Sequence, residues 1–253
     1  MPHIKRTHRI GLLTPSSNTT QEPEFAEVLP RTVSLHASRL TLNNIDAPST
    51  LSIVEELEKE SRKLGDADVD VIVLAATAPS SRKGKGYDRE LIKRMEDASG
   101  KPATTASTAL LEALAVLGIR RIAIAAPWSA AMNATVVSFM EANGVEVPHH
   151  QAMGIVRNNE VGRIEPDRVY EFGLQADRPE ADALLLACGN WWAMGAVERL
   201  EQKLGKPVLT TNGVSIWAAL RIIRSHDSVA GYGRLLRDCL GRDTASAKVA
   251  SAA

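Results

Sequence analysis

The sequence has few cysteines, few aromatic residues and no excess of charge of either sign. Only two of its 253 residues are cysteine, Cys188 and Cys239, and they form no CxxC spacing. This usage is typical of a reduced compartment and of thiols outside a disulfide framework. The 30 basic and 30 acidic residues cancel, so the overall charge predicts binding neither to nucleic acid nor to an anionic membrane.

Long hydrophobic runs are absent as well. No segment approaches the roughly 18 consecutive apolar residues of a membrane-spanning helix, and the first ten residues, MPHIKRTHRI, lack the apolar stretch of a signal peptide. We therefore expect a cytoplasmic protein. A chain of 253 residues is long enough to bury one large core or two smaller ones.

The common cofactor motifs are missing too. The first predicted strand leads into TPSSNTT, where a dinucleotide site would have GxGxxG, and KGKGYD does not fit the frame of a P-loop. No GxSxG elbow of an α/β-hydrolase occurs. His149 and His150 have no partner at metal-ligand spacing, and we interpret them as surface residues. The sequence therefore predicts neither a metal nor an organic cofactor.

What the sequence does have is an alternation of short apolar runs and longer amphipathic segments. It predicts parallel βα units, and hence an α/β fold. The predicted strands are 9–14, 33–40, 70–75, 121–126, 145–148, 182–187 and 207–209. The predicted helices are 50–64, 87–99, 105–117, 129–143, 166–178, 193–204 and 212–224.

The chain also contains an internal repeat. RIGLLTPSSN (9–18) resembles RIAIAAPWSA (121–130), and DVIVLAAT (70–77) resembles DALLLACG (182–189), both at an offset of 112 residues (9 to 121, 70 to 182). GKPATTASTALLEAL resembles GKPVLTTNGVSIWAAL at an offset of 105 (100 to 205). Unrelated βα units can look alike, but three matches in one order favour a duplication. We predict two halves: 1–104, completed by 216–253, and 105–215.

Two related halves would bring strand ends together at one cleft. Ligands of open α/β sheets bind outside the carboxyl ends of the strands, so the cleft should be lined by 15–18, 76–79, 127–129 and 188–191. Cys188 is the candidate catalytic residue, and the repeat places Ala76 opposite it. The candidate substrate-binding residues are Pro15, Ser16, Ser17, Asn18, Ala76, Thr77, Ala78, Trp128, Gly189 and Asn190.

These motifs together resemble the aspartate/glutamate racemase superfamily. PSSNTTQEPEF (15–25) and GKGYDRE (84–90) are similar to its maleate cis-trans isomerase branch. TASTALLEALAVLGIRRIAIA (105–125), ACG (187–189) and GYGRLLRD (231–238) are similar to its arylmalonate decarboxylase branch. The resemblance spans nearly the whole chain. It implies a duplicated, mostly parallel α/β fold with the active site between the halves, and no cofactor.

The resemblance also gives meaning to Ala76. Racemases and isomerases of the superfamily use two facing cysteines, whereas arylmalonate decarboxylase has glycine at the first position and keeps the second cysteine as proton donor. A methyl group neither attacks carbon nor accepts a proton. In this chain, therefore, only Cys188 of the pair can act on the substrate, and it can do so from one side only. The resemblance therefore implies a carboxy-lyase that acts on a disubstituted malonate or related small dicarboxylate, with Cys188 protonating an enediolate.

Other interpretations stay open at this stage. One is an isomerase or racemase in which water or another group replaces the first thiol; another is a non-catalytic protein that binds dicarboxylates. Buried cysteine is a common core residue, and residues 16–18 also suit a turn and helix cap. Trp191 and Trp192 would wall the pocket, form a lid or lie at a subunit contact. Apolar helix faces are compatible with a homo-oligomer.

Overall fold

The computed structural model describes residues 6–225 and 227–241, and it contains two parallel four-stranded sheets. In the first sheet the order is β2-β1-β3-β4, with β1 at His8–Pro15, β2 at Val33–Leu40, β3 at Val71–Leu74 and β4 at Ala103–Thr105. In the second the order is β6-β5-β7-β8, with β5 at Arg121–Ala126, β6 at Glu146–Ala152, β7 at Ala183–Leu186 and β8 at Val208–Thr210. The predicted α/β fold of two similar halves is confirmed.

The strand register repeats between the halves with the offsets found in the sequence. Ile10 pairs with Val71 in the first sheet, and Ile122 pairs with Ala183 in the second, each residue 112 positions later (10 to 122, 71 to 183). For the last strand of each sheet the offset is 105, because Ala103 of β4 corresponds to Val208 of β8 (103 to 208). A shorter connection before β8 therefore leaves the pairing unchanged.

Helices cover the sheets, and α-helix follows strand as the alternation predicts. The helices are α1 (Gln21–Val28), α2 (Ala47–Ser52), α3 (Leu57–Asp66), α4 (Thr77–Ser81), α5 (Tyr87–Ser99), α6 (Ala106–Leu117), α7 (Ala130–Ala142), α8 (Asn158–Val161), α9 (Pro166–Ala176), α10 (Met194–Leu204), α11 (Thr211–Ile222) and α12 (Arg234–Asp238). The single helix predicted over 50–64 is wrong: a 3-10 turn at Ile53–Glu55 separates α2 from α3. The short elements α1, α4, α8 and β4 lie outside the predicted ones.

The core lies on both sides of the central strands. Every residue of β3 and of β7 is buried, as expected of parallel strands covered by helices on both faces. No helix in the described ranges is long and apolar enough to cross a membrane. The cytoplasmic location and the boundary at 104/105 stay predictions, and residues 226 and 242–253 of the predicted completing segment lie outside the described residues.

Two segments, one from each half, meet over the carboxyl ends of the strands. Asn44 and Arg157 form an antiparallel bridge. On either side of it, Ile45 N–H donates to Val156 O (2.8 Å) and Asn158 N–H donates to Asn43 O (3.0 Å). We call residues 42–46 together with 155–158 the roof.

Candidate active site

A small pocket of about 40 Å³ lies under the roof, where strands of both sheets end. It brings together residues that are more than a hundred positions apart in the chain. The lining residues are Pro15, Asn18, Leu42, Ile45, Thr50, Ala75, Ala76, Thr77, Ala78, Pro79, Trp128, Asn158, Cys188, Gly189 and Asn190. The predicted cleft thus exists, and it draws on both halves.

Most of the predicted site residues line this pocket, but Ser16 and Ser17 do not. Ser16 Oγ accepts a hydrogen bond from Leu42 N–H (3.0 Å). The Ser17 hydroxyl donates to Leu42 O and accepts from Asn158 Nδ2 (2.9 Å). The two serines therefore position roof residues in this structure, and direct contact between them and a substrate stays a prediction.

Asn18 reaches the pocket from the turn that follows β1. Its Oδ1 accepts hydrogen bonds from the N–H groups of Thr20 and Gln21, both at 2.9 Å. These bonds form a turn immediately before α1, and they satisfy N–H groups at the start of the helix that the helix itself cannot use. Because Oδ1 accepts both bonds, the Nδ2 hydrogens are the donors that this side chain can offer to the pocket.

Asn158 and Asn190 join the roof to the turn that bears Cys188 and to the turn that follows β1. Asn190 Nδ2 donates to Asn158 O (2.6 Å), and Asn190 Oδ1 accepts from Thr19 N–H (2.9 Å). Sequence reasoning missed Asn158, as it missed Leu42, Ile45 and Thr50 in the roof segment and helix α2. No motif or repeat singles these residues out, since they reach the pocket only because the two halves meet.

Cys188 lies directly after β7 and is only 6% exposed. Burial raises the pKa of its thiol to about 12, while the nearby charge of Glu24 raises it further and the backbone N–H of Asn190 opposes the shift. Desolvation penalises the thiolate far more than the thiol. The side chain is therefore held in its protonated form at neutral pH, as a proton donor requires. No disulfide joins Cys188 to Cys239, and both are buried.

Ala76 and Thr77 form the corresponding turn of the first half. Ala76 is 6% exposed, and its methyl group contributes to the pocket wall where the second half has the thiol. Thr77 begins α4, so the N–H groups of Thr77 and Ala78 have no partner inside that helix. The hydroxyl of Thr77 is hydrogen-bonded to that of Thr211 (2.8 Å). This turn thus offers backbone donors and no acid or base.

Trp128 closes the pocket beside β5 and is buried. Its Nε1–H donates to Asn133 Oδ1 (3.3 Å), so the indole contributes an apolar surface to the pocket. Trp191 and Trp192 do not line the pocket. Trp191 is fully buried with its ring edge-to-face against Phe172 (5.9 Å between centroids), which makes it a core residue of the second half. Trp192 Nε1–H donates to Gly162 O (3.0 Å).

The side chains that line the pocket are neutral. None of its lining residues carries a formal charge. The part of the chain that the structure describes contains no group of three His, Cys, Asp or Glu residues that could hold a metal ion. The lining residues supply amide, hydroxyl and backbone N–H donors, apolar side chains and one protonated thiol.

Two similar α/β halves, with a cysteine-bearing strand end of one facing the matching strand end of the other, define the aspartate/glutamate racemase class of proteins. Within it, the family model described as arylmalonate decarboxylase matches residues 10–236. The chain belongs to the arylmalonate decarboxylase family.

Relatives of two activities are similar to the chain along nearly its whole length. It is 31% identical to the maleate isomerase of Pseudomonas putida, over 92% of this chain and 98% of that one. It is 27% identical to the arylmalonate decarboxylase of Bordetella bronchiseptica, over 90% and 96%. A solved structure of a mutant maleate cis-trans isomerase from Nocardia farcinica, with a covalently bound succinylcysteine intermediate, has a TM-score of 0.86 at 27% identity and covers 91% of this chain and 98% of that chain. The relatives are enzymes, and they do not agree on one reaction.

Proposed function

We propose that this protein is a cofactor-independent decarboxylase of a disubstituted malonate or related small dicarboxylate. The observation that carries the proposal is the pairing of Ala76 with Cys188 at matching strand ends in one pocket. Of these two lining residues, one has a protonated thiol and the other a methyl group. A reaction that needs a single proton delivered to one face of a carbon fits this arrangement.

The chemistry follows from the groups at the pocket. One carboxylate accepts hydrogen bonds from the neutral donors, among them Asn18 and the backbone N–H groups of Thr77 and Ala78. The other lies against apolar side chains, where it is desolvated. Its C–C bond breaks, carbon dioxide leaves, and the electron pair remains on carbon as an enediolate. Donors aimed at this developing charge contribute about 3 kcal/mol each.

Cys188 then completes the reaction. Its S–H gives a proton to the carbanion carbon, and the thiolate regains a proton from water in the next cycle. Because the thiol approaches from one side, the product has one configuration. Nothing in this sequence of steps requires a metal or an organic cofactor.

The isomerase alternative is supported by the identity to maleate isomerases and by the PSSN turn. The Nocardia relative forms a succinylcysteine, a bond between substrate carbon and a cysteine sulfur. Such a reaction requires a nucleophilic thiolate and, in addition, a group that transfers a proton. In this pocket Cys188 is the one thiol among the lining residues, and burial keeps it protonated. We therefore favour the decarboxylase.

The proposal is tested by giving the purified protein phenylmalonate and maleate in heavy water and following both by proton NMR. We expect phenylmalonate to lose carbon dioxide and the product, phenylacetate, to gain one deuteron. Conversion of maleate to fumarate would instead establish the isomerase. If neither compound reacts but dicarboxylates raise the melting temperature, the protein is a binding protein and the decarboxylase proposal is wrong.

A second prediction concerns Ala76→Cys. It places a thiol on the opposite wall of the pocket, so the product should now be protonated from both faces and lose its single configuration. Chiral chromatography measures the change on the product of a malonate with two different substituents, because protonation of that product creates a stereocentre. Ala76→Ser is the matched control, because a hydroxyl of similar size is a much weaker acid and should leave the configuration unaltered. Retention of one configuration in Ala76→Cys would contradict the facing geometry.

A further inference from the structure

A buried carboxyl group lies behind the cysteine turn and takes no part in the chemistry above. Glu24, on α1, is 3% exposed. Its Oε1 accepts a hydrogen bond from Met194 N–H (3.0 Å), and its Oε2 accepts from Asn212 Nδ2 (2.6 Å). Among the described residues it forms no ion pair. A buried carboxyl group without a cation is costly, which raises the question of what it does there.

The hydrogen bonds of Glu24 lead to both strand-end turns of the pocket. Asn212 Nδ2 also donates to Gly189 O (3.1 Å), next to Cys188. Asn212 Oδ1 accepts from Gln21 Nε2 (3.1 Å), and the same Nε2 donates to Ala75 O, next to Ala76. Gln21 Oε1 in turn accepts from Thr14 Oγ1 (2.5 Å). This buried network ties the thiol side of the pocket to the methyl side.

The two halves differ at this position. Counting on by the offset of 112 from Glu24 gives Val136 (24 to 136), a buried residue of α7. Gln21 has Asn133 as its counterpart (21 to 133), so a polar amide is kept while the carboxyl group is not. A carboxyl group thus lies behind the turn that bears a thiol, and an apolar side chain occupies the equivalent place in the other half.

Glu24 is placed to change its charge near neutral pH. Burial raises the pKa of Glu24 to about 7; the hydrogen bonds from Asn212, Met194 and Ala193 oppose the shift, and the like charge of Glu27 adds to it. The other titratable groups that face it are Cys188 and Tyr232, whose hydroxyl donates to Glu27 (2.9 Å). Protonation of Glu24 near neutral pH therefore changes the electrostatic field at the Cys188 thiol.

We propose that Glu24 is a positioning residue of this site: through Asn212 it holds the Cys188 turn against the Ala75 turn, and it places a carboxylate behind the turn that bears the thiol. The proposal rests on the proposed role of Cys188 as proton donor. A thiol kept from ionising by a nearby carboxylate is available as an acid and resists alkylation and oxidation, since the thiolate is the reactive form.

The test measures how fast iodoacetamide alkylates Cys188 in the substrate-free protein, by mass spectrometry of the peptide that contains it, so that Cys239 does not interfere. Wild type and Glu24→Gln are compared at about pH 5.5, where Glu24 is neutral, and at about pH 8.5, where it is charged. We expect equal rates at the lower pH and roughly tenfold faster alkylation of Glu24→Gln at the higher pH, a shift of about one unit in the ionisation of the thiol.

The matched control is Glu201→Gln. Glu201 is likewise buried, and its two carboxylate oxygens accept hydrogen bonds from the N–H groups of Val208 and Arg234 (both 3.0 Å). Glu201→Gln should show any increase in the alkylation rate of Cys188 that comes from a general loosening of the fold. It should not show a difference from wild type that depends on pH. Three results would each overturn the proposal. Glu24→Gln and wild type could be alkylated at equal rates at both pH values, or Glu24→Gln could be faster by the same factor at both. The third is a Glu201→Gln protein with the same pH-dependent difference from wild type as Glu24→Gln.

If Glu24→Gln does not fold, a second measurement can be made on wild type alone. Thiolate concentration rises about tenfold per pH unit well below a thiol's pKa. As Glu24 becomes charged between about pH 5.5 and 8.5, the wild-type rate should rise only about a hundredfold, against about a thousandfold for a thiol with no such neighbour. A thousandfold rise would contradict the proposal. Alkylation requires no substrate, so this result is independent of whether phenylmalonate is decarboxylated.

Discussion

Cys188→Ala should lower the turnover of a malonate substrate by about 10²- to 10⁴-fold, the usual contribution of a positioned general acid. The substitution removes the one thiol of the pocket and leaves the neutral donors in place. Carbon dioxide loss that still occurs would be followed by protonation from water, so the residual product should lose its single configuration. Initial rates and chiral chromatography measure the two effects.

Cys239→Ala is the matched control for this variant. Cys239 is as buried as Cys188 but follows α12 and does not line the pocket. Its substitution should leave turnover and configuration as in wild type. Dicarboxylates should still raise the melting temperature of Cys188→Ala, because the donors that hold them remain. Full activity in Cys188→Ala would exclude the thiol as the acid.

Gly189→Ala should damage both stability and activity although it adds one methyl group. A Cβ at position 189 would lie 2.2 Å from Gln21 Nε2 and 2.9 Å from Ala75 O. The amide of Gln21 must then move and break buried hydrogen bonds, and crowding of this kind costs about 1–3 kcal/mol of the free energy of unfolding. Displacing the Cys188 turn by about 1 Å would lower turnover by roughly a hundredfold.

Gly195→Ala provides the comparison for Gly189→Ala. A Cβ at position 195 would meet no atom within 4 Å, and the residue lies in the first turn of α10. Alanine is a better helix former than glycine, by up to about 1 kcal/mol. This variant should be as stable as wild type or more so, with unchanged turnover. Thermal unfolding together with rate measurements checks both, and a Gly189→Ala protein indistinguishable from Gly195→Ala would refute the close approach.

The sequence predicts the fold well because the repeat and the strand pattern both arise from the buried parallel strands. Buried parallel strands need continuous apolar residues, and those runs recur at offsets of 112 and 105, which are also the offsets of the strand pairing. The elements that escaped prediction are short. Strand β4 has three residues and α4 has five, too few for a periodic pattern to emerge.

The candidate site was predictable only where it follows a strand. Cys188 and Thr77 come directly after apolar runs, so the rule that ligands bind at strand ends places them. Asn158 comes from a roof segment that has no periodic pattern, and it reaches the pocket through contacts across the two halves. In the sequence, Glu24 is one of several acidic residues in a segment for which no element was predicted, and only its burial behind the Cys188 turn distinguishes it.

The roof has a consequence for the timing of the reaction. It covers the pocket, and its two segments are joined by backbone hydrogen bonds between residues 43–45 and 156–158. Parting of these two segments would widen the entrance for substrate and product. A turnover limited by that motion should have a kcat that changes with solvent viscosity or with substitutions in the roof, even where Cys188 and its neighbours stay unchanged.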